Sequence, residues 1–241
     1  MNAVFLAALV GLAAGGVTTV AGFGGGLLMT LVLSLVWGPH EALATAAVAL
    51  LVGNVHRLVV LHRFVDRSIA PPLAAGAFVG AVLGGAVAAA LTPGTIRWVL
   101  LAVSLMAVAR ALGWLVLPPR RAVLVPGGVG IGFVAATSGG GALLMAPLML
   151  AIGLTDTAFL ATGTAVALAV HVGRIGAYVG TGMLGGEFLG TAVVLALGMV
   201  AGNAAGFAAR RRLAPRTRGL ATWAVLVVGL LLAGVGVAGP G

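Results

Sequence analysis

Two glycine-rich stretches, GFGGGLLM at residues 22–29 and TSGGGALLM at residues 137–145, decide the fold prediction. Each lies between two short apolar segments, and three consecutive glycines interrupt a helix because glycine is a poor helix former. Within a bilayer, backbone released from a helix is tolerated only where protein or water surrounds it. The stretches therefore predict two helix breaks inside the protein, which we call the first elbow (residues 22–26) and the second elbow (residues 137–141).

The composition is that of a membrane protein. Hydrophobic residues make up 61% of the 241 residues and charged residues 7%, whereas a soluble domain carries about a quarter charged residues. Apolar segments recur along the chain, at residues 2–20, 23–37, 40–61, 69–91, 95–117, 122–136, 140–153, 156–180, 185–209 and 217–238. Segments of this kind predict membrane helices. We expect an all-α polytopic membrane protein with one membrane domain, residues 1–241, and short loops.

The charged and sulfur-containing residues exclude several classes of protein. The net charge of +9 comes from 13 arginines without any lysine, and cysteine is absent. Arginines in short loops are typical of membrane topology signals rather than of a nucleic-acid-binding face. Without cysteine there is no disulfide framework or thiolate metal site. Residues 2–20 lack a preceding positive region, so we assign them to the fold rather than to a signal peptide.

An internal repeat accompanies the elbows. Gly24-Gly25 matches Gly140-Gly141, Thr45 matches Thr162, and Arg57 matches Arg174. Glycine triplets spaced by four residues follow, at Gly76, Gly80 and Gly84 and at Gly198, Gly202 and Gly206. This spacing places small residues on one helix face and favours close helix packing. The pattern predicts two repeats, residues 1–118 and 122–241, each with two short segments followed by three long ones.

Two arrangements of the paired short segments are open. If each pair is one broken helix that crosses once, the halves are parallel and the arginines near loops divide five against six. If each pair is a hairpin, the second half is inverted and only Arg97 lies opposite the rest, which are Arg57, Arg63, Arg67, Arg120, Arg121, Arg210, Arg211, Arg212, Arg216 and Arg218. Short-loop arginine marks the cytoplasmic side. The count favours inverted repeats in the inner membrane, with both termini outside the cytoplasm.

The elbows predict a binding site for an anion. Glycine lets a ligand approach the backbone closely, and a helix that starts after the glycines presents free N–H groups and the positive end of its dipole. We predict that the substrate-binding residues are Gly24, Gly25, Gly26, Thr137, Ser138, Gly139, Gly140, Gly141, Thr45, Thr162, His171, Arg174 and Arg57. The alternative is that the glycines serve helix packing and the hydroxyls bond to their own helices.

Other polar residues have plainer interpretations. His171 either binds the ligand or carries a coupling proton, or it is a hydrogen-bonded structural histidine. Asn54 and Asn203 predict interhelical hydrogen bonds. Glu41 and Asp156 begin helices, where acidic residues complement the dipole. No carboxylate pair lies deep in an apolar segment, so we expect no metal, no cation cage and no cofactor.

The motifs of membrane enzymes and pumps are missing from the sequence. It contains no HExxH, P-loop lysine or dinucleotide fingerprint, and no G-x-S-x-G motif supports a serine–histidine pair. We therefore expect no enzyme activity. The expected partners are a small-molecule anion and membrane lipid, with a second copy of the chain as a further candidate and no nucleic acid.

The two halves together resemble the sulfite exporter TauE/SafE family of small transporters. The resemblance rests on GFGGGLL at residues 22–28 followed by Ala42 and Ala44-Thr45, and on SGGGALL at residues 138–144 followed by Pro147 and ATGT at residues 161–164. One departure from symmetry is Leu31, where the second half has Pro147. The resemblance implies export or uptake of small anions, chiefly sulfite, sulfonates or related sulfur oxyanions.

Together these observations predict a secondary transporter that moves a small anion by alternating access between two repeats. Two other functions stay open at this point. One is a non-transporting membrane subunit that scaffolds a partner, and the other is a passive anion channel. A water-accessible centre lined by both elbows would distinguish transport from scaffolding.

Overall fold

The computed structural model describes residues 3–114 and 123–238, and this part of the chain is helical throughout, without a strand. Its α-helices are α1 Ala3–Ala21, α2 Gly25–Trp37, α3 Pro39–Leu61, α4 Ala70–Ala90, α5 Pro93–Ala111, α6 Leu124–Ser138, α7 Ala142–Ala151, α8 Asp156–Gly180, α9 Leu189–Arg212 and α10 Pro215–Ala238. Short 3-10 helices occupy His62–Phe64 and Gly186–Phe188. Arg120, Arg121 and the predicted boundary between the repeats lie outside the described residues.

Six of the described helices are long and apolar enough to cross a membrane, namely α1, α3, α4, α8, α9 and α10. The chain is therefore a multi-pass all-α membrane protein, as the sequence predicted. Of the four segments expected to be short, α2, α6 and α7 have 13, 15 and 10 residues, but α1 has 19. Helix α1 continues to Ala21 because its internal glycines do not interrupt it. Gly11 and Gly15 pack against α9 instead.

Each elbow folds its helix pair into a hairpin. A Cβ atom built on Gly25 would overlap the carbonyl oxygen of Ala14, so α2 turns back along α1. In the second pair, a Cβ on Gly127 would lie 2.9 Å from Leu148 Cδ2, so α7 turns back along α6. Positive φ angles of 92° at Gly22, 94° at Gly24 and 71° at Gly139 form the turns, and glycine adopts them without strain. Of the two arrangements left open by the sequence, the hairpin is the one observed.

The glycine triplets mediate two close helix contacts, α4 with α6 and α9 with α1. A Cβ on Gly80 would overlap the carbonyl oxygen of Val129 in α6, and a Cβ on Gly202 would overlap that of Leu12 in α1. The neighbouring triplet members face the same two helices, with Gly76 near Val125, Gly84 near Phe133, Gly198 near Ala8 and Gly206 near Gly16. The prediction that these triplets serve helix packing is confirmed.

Helices α3 and α8 are antiparallel and carry seven of the fifteen buried polar or charged side chains of the described residues. Asp66, just after α3, donates its backbone N–H to Thr162 Oγ1 near the start of α8 at 2.9 Å. Ala44, near the start of α3, packs in one cluster with Tyr178, near the end of α8. Glu41 and Asp156 lie in the first turns of these two helices, where the sequence placed them, and neither helix has a side-chain N-cap bond.

Most described arginines gather at one end of the bundle. Helix α9 runs parallel to α3, because Asn203 bonds to Gly53 and, four residues later, Phe207 stacks near His56. The ends of both helices, and the start of α10, therefore share one end, which holds Arg63, Arg67, Arg210, Arg211, Arg212, Arg216 and Arg218. His40 at the start of α3 bonds to the Leu91 carbonyl at the end of α4, so Arg97 lies at the opposite end.

Candidate functional site

Both elbows border one central cavity of about 70 Å³. They also touch each other, since a Cβ on Gly26 would lie 3.6 Å from the carbonyl oxygen of Gly139. Helices α3 and α8 complete the wall. The glycines of the elbows that line the cavity are Gly22, Gly24, Gly26, Gly139, Gly140 and Gly141, and the polar side chains are those of Thr18, Asn54, Arg57, Thr164, His171 and Arg174.

Arg57 of α3 and Arg174 of α8 are the two charged residues of this wall. They are 4% and 0% exposed, and no acidic residue is among the described residues that line the cavity. Nη2 of Arg57 donates to Asn54 Oδ1, and Nη1 of Arg174 donates to the carbonyl oxygen of Ala135 at 3.2 Å. Nε and Nη1 of Arg57 and Nε and Nη2 of Arg174 are buried without a hydrogen-bond partner.

Buried donors of this kind require compensation. Removing a cation from water costs several kcal/mol unless an opposite charge or a set of hydrogen bonds replaces the lost hydration. A planar guanidinium presents parallel N–H groups that match the oxygens of a carboxylate, a phosphate or a similar oxyanion. The arrangement therefore has the charge and the free donors to hold a small oxyanion.

The remaining polar side chains of the cavity are mostly engaged by their own helices. Thr18 and Thr164 donate to carbonyl oxygens four residues earlier, each at 2.7 Å. Asn54 Nδ2 donates to the Leu50 carbonyl at 2.8 Å, so the predicted interhelical bond of Asn54 is wrong, because Arg57 on the same helix takes its oxygen. His171 Nδ1 is buried without a partner. That nitrogen gives no support to the interpretation of His171 as a fully hydrogen-bonded structural histidine.

Asn203 does make the predicted interhelical bonds. Its Nδ2 donates to the carbonyl oxygen of Gly53 at 2.8 Å, and its Oδ1 accepts a hydrogen bond from Thr19 Oγ1 at 2.9 Å. One buried amide thus connects α1, α3 and α9. This connection lies behind the first elbow rather than in the cavity.

Several predicted binding residues lie outside the lining of the cavity. Thr137 and Ser138 donate to α6 carbonyl oxygens at 3.0 and 2.7 Å, and Ser138 Oγ also accepts from the Gly140 N–H. Thr162 accepts from Asp66, while the buried Thr45 hydroxyl has no partner. Gly25 packs against α1. The structure brings together the other eight, which are Gly24, Gly26, Gly139, Gly140, Gly141, Arg57, His171 and Arg174.

The two elbows differ in the backbone donors that they offer. Helix α2 begins at Gly25, between two glycines of the wall, and the first N–H groups of a helix lack partners within it. In the second elbow, the N–H groups of Leu143 and Leu144 donate to Gly140 and Gly141 at 2.9 and 3.1 Å. The start of α2 is therefore the better backbone donor for an anion.

Asn54, Thr164 and Thr18 were missed as members of the wall. For Asn54 the sequence carried a usable signal: it precedes Arg57 by three residues, as His171 precedes Arg174. In a helix, residues three apart share a face. An arginine that faces the cavity therefore places the residue three positions before it on the cavity wall as well. Thr164 also carried a signal, because it precedes His171 by seven residues and residues seven apart share a helix face. For Thr18 no comparable spacing pointed to the cavity.

Comparison with known proteins assigns the chain to a family. The family model described as "Sulfite exporter TauE/SafE" matches residues 7–235, nearly the whole chain. The chain matches no curated protein and no solved structure. Because the match spans both elbows, both central arginines and all or part of each described α-helix, the chain belongs to the sulfite exporter TauE/SafE family of membrane transporters.

Proposed function

We propose that this protein is a secondary transporter that binds one small sulfur oxyanion in the central cavity, between Arg57 and Arg174, and exposes it alternately to the two sides of the membrane. The single observation that carries the proposal is the pair of buried guanidinium groups with four unpartnered nitrogen atoms. Such groups in a membrane segment mark a substrate or ion pathway. An oxyanion would supply both the missing charge and the missing acceptors.

The size and lining of the cavity favour a compact substrate. A volume of about 70 Å³ suits a small ion such as sulfite better than a sulfonate with a long carbon chain. Two guanidinium groups without a carboxylate in the wall favour anions over zwitterions. The free amides at the start of α2 would add donors at the positive end of a helix dipole.

Alternating access follows if residues 1–118 and 122–241 are inverted repeats, and we propose that they are. Three observations support inverted repeats. Helix α9 packs on α1 as α4 packs on α6, through the matching glycine triplets. The matching helices α3 and α8 are antiparallel, and each half opens with an elbow hairpin. Inverted repeats around a central site are the architecture in which rocking of one half alternates access.

We propose that the arginine-rich end faces the cytoplasm and that both termini face the other side of the inner membrane. The support is the distribution of loop arginines, since all but Arg97 gather at one end in the described part. Large exposed apolar side chains such as Leu197, Leu220 and Leu231 would then contact lipid.

Reconstitution into proteoliposomes tests transport. We expect saturable sulfite uptake that is accelerated by sulfite on the opposite side, because a carrier exchanges its substrate and a channel does not. Arg57→Gln should reduce the flux by at least tenfold, since a hydrogen bond to a charged group contributes about 1.5–3 kcal/mol. Arg63→Gln, at an exposed position after α3, is the matched control.

Three outcomes would contradict the proposal. Flux without saturation or exchange would identify a passive channel. No flux of sulfite, together with no stabilisation of the purified protein by sulfite in thermal unfolding, would favour a scaffold subunit. Equal loss of flux in Arg57→Gln and Arg63→Gln would remove the central cavity from the mechanism.

A further inference from the structure

A second cavity lies at the arginine-rich end, directly beside the central one. Its volume is about 510 Å³, and its wall includes the side chains of Arg210, Arg211 and Arg218. Leu160 of α8 lines both cavities. We infer that this second cavity, which we call the arginine vestibule, is the route by which the anion reaches the central site from this end, and that Leu160 closes it in the observed state. The inference rests on the proposed transport function.

The wall between the two cavities is apolar and thin. Leu61, Leu160 and Ala161 form one buried cluster, against which Phe207 packs. Leu61, Leu160 and Phe207 also line the vestibule, while Leu160 reaches through to the central cavity. A hydrated anion cannot pass such a layer without losing its water. Displacement of Leu160 from Leu61 and Phe207 would therefore connect vestibule and central site.

The charges of the vestibule suit an anion. Arg211 is exposed, and Arg210 donates to the carbonyl oxygens of Thr19 and Val20 at 3.2 and 3.0 Å. Nη1 of Arg218 lies 3.8 Å from Oδ1 of Asp156 and forms a salt bridge with it. Three arginines against one carboxylate leave a positive surface. A concave surface of one sign concentrates the opposite ion and raises its rate of arrival.

A rival route exists but lacks charge. A groove of about 390 Å³ between α5, α7 and α10 shares Phe23 and Leu143 with the central cavity. Apart from Thr222 and the indole of Trp223, the described residues that line this groove are apolar. An anion there would meet no cation among the described lining residues, so the desolvation cost favours the vestibule over the groove.

The absence of cysteine from the whole sequence allows a direct test. Single cysteines are introduced as Leu160→Cys in the wall, Thr157→Cys in the vestibule and Leu150→Cys in the groove. A fourth, Leu197→Cys, lies at a position 67% exposed on the apolar surface of α9 and is the control. The probes are an anionic sulfonatoethyl and a cationic trimethylammonioethyl methanethiosulfonate. The cysteine thiolate attacks the sulfenyl sulfur, a mixed disulfide forms, and methanesulfinate leaves.

We expect Thr157→Cys and Leu160→Cys to react with the anionic probe about tenfold or more faster than with the cationic one, after correction for the rates of both probes with a free thiol. Adding Arg211→Gln should reduce that preference. Modification at position 160 should stop sulfite flux, and Leu197→Cys should react with neither probe. Leu61→Cys, in the same cluster, replaces Leu160→Cys if that variant does not fold.

The inference is overturned if position 160 or 61 stays unmodified while Leu150→Cys reacts and loses flux. It is also overturned if both probes react equally at positions 157 and 160. Sulfite-induced thermal stabilisation of the cysteine-free protein, measured in parallel, separates this result from the proposed function. Stabilisation without access at position 160 rejects the vestibule alone, whereas charge-selective access without sulfite binding or flux rejects sulfite transport alone.

Discussion

Arg174 Nη1 donates to the carbonyl oxygen of Ala135 at 3.2 Å, in the last turn of the helix that ends at the second elbow. Tyr178 donates to the next carbonyl, that of Ala136. The last carbonyl groups of a helix have no partner within it and carry the negative end of its dipole. Helix α8 thus adds a cation to the Ala135 carbonyl, which also accepts from the Gly139 N–H at 2.8 Å, and a hydroxyl to the Ala136 carbonyl.

The first elbow has a comparable arrangement with a different residue. Arg210 donates to the carbonyl oxygens of Thr19 and Val20 at the end of α1. Arg57, which matches Arg174 in sequence, contacts no elbow carbonyl and bonds to Asn54 of its own helix. The two central arginines are therefore unequal: Arg174 faces the cavity and bonds to another helix, whereas Arg57 faces the cavity and bonds only within its own helix.

This inequality predicts unequal effects on stability. In the absence of anion, Arg57→Met should lower the melting temperature less than Arg174→Met, because both changes remove the desolvation cost of a buried cation but the bond that Arg57 loses, to Asn54, lies within one helix. Arg174→Met should lower the free energy of unfolding by about 1–3 kcal/mol, because it removes the charged, interhelical donor to the Ala135 carbonyl, which then keeps only the Gly139 N–H. Thermal unfolding in detergent measures both. Equal destabilisation by the two changes would contradict the assignment.

Asn203 is predicted to couple three helices. Asn203→Ala should cost about 1–3 kcal/mol, the penalty for leaving buried partners unsatisfied. Thr19→Val, which keeps the shape of the side chain, removes one of the two bonds. In the double variant the two losses should not add, and the interaction energy should be about 0.5 kcal/mol or more. Additive losses in a double-mutant cycle of thermal unfolding would show that the Thr19–Asn203 bond contributes no stability.

The glycine triplets give a prediction with matched controls. Gly202→Ala and Gly80→Ala would each place a methyl group on a backbone carbonyl of the facing helix, which cannot move away without shifting the helix. Overpacking of this kind costs about 1–3 kcal/mol. Gly190→Ala in α9 and Gly130→Ala in α6 meet no atom within 4 Å and should be neutral or slightly stabilising. Melting temperatures that do not separate the two pairs would contradict close packing.

Much of this architecture is predictable from local sequence. The glycine-rich stretch at residues 22–26 disfavours a continuous helix because glycine is a poor helix former, and the spacing of Gly76, Gly80 and Gly84 specifies a contact face. The count of loop arginines favoured the hairpin, and the contact of Gly25 with Ala14 agrees. These features depend on residues close in sequence or on composition near loops, so no knowledge of the packing was needed.

The candidate binding residues were less predictable because hydroxyl groups have a local competitor. Thr137 and Ser138 are the first residues of the second elbow, yet both donate to carbonyl oxygens three or four residues earlier. A membrane helix offers such an acceptor at every turn, and sequence position does not reveal which hydroxyl uses it. Arg174 was visible as a residue of the site, but its bond to Ala135, 39 residues away, depends on how α8 crosses α6.

His171 gives the last prediction. Among the described side chains of the cavity wall, only its imidazole ordinarily titrates near neutral pH, and its Nδ1 has no partner. If transport is coupled to protons, His171→Gln should abolish sulfite accumulation driven by a pH gradient while sulfite exchange without a gradient persists. His56→Gln, outside the cavity beside Phe207, is the matched control and should leave both activities intact. Gradient-driven accumulation that survives in His171→Gln would exclude this histidine as the proton carrier. No second imidazole lines the described wall, so another histidine there could not replace it.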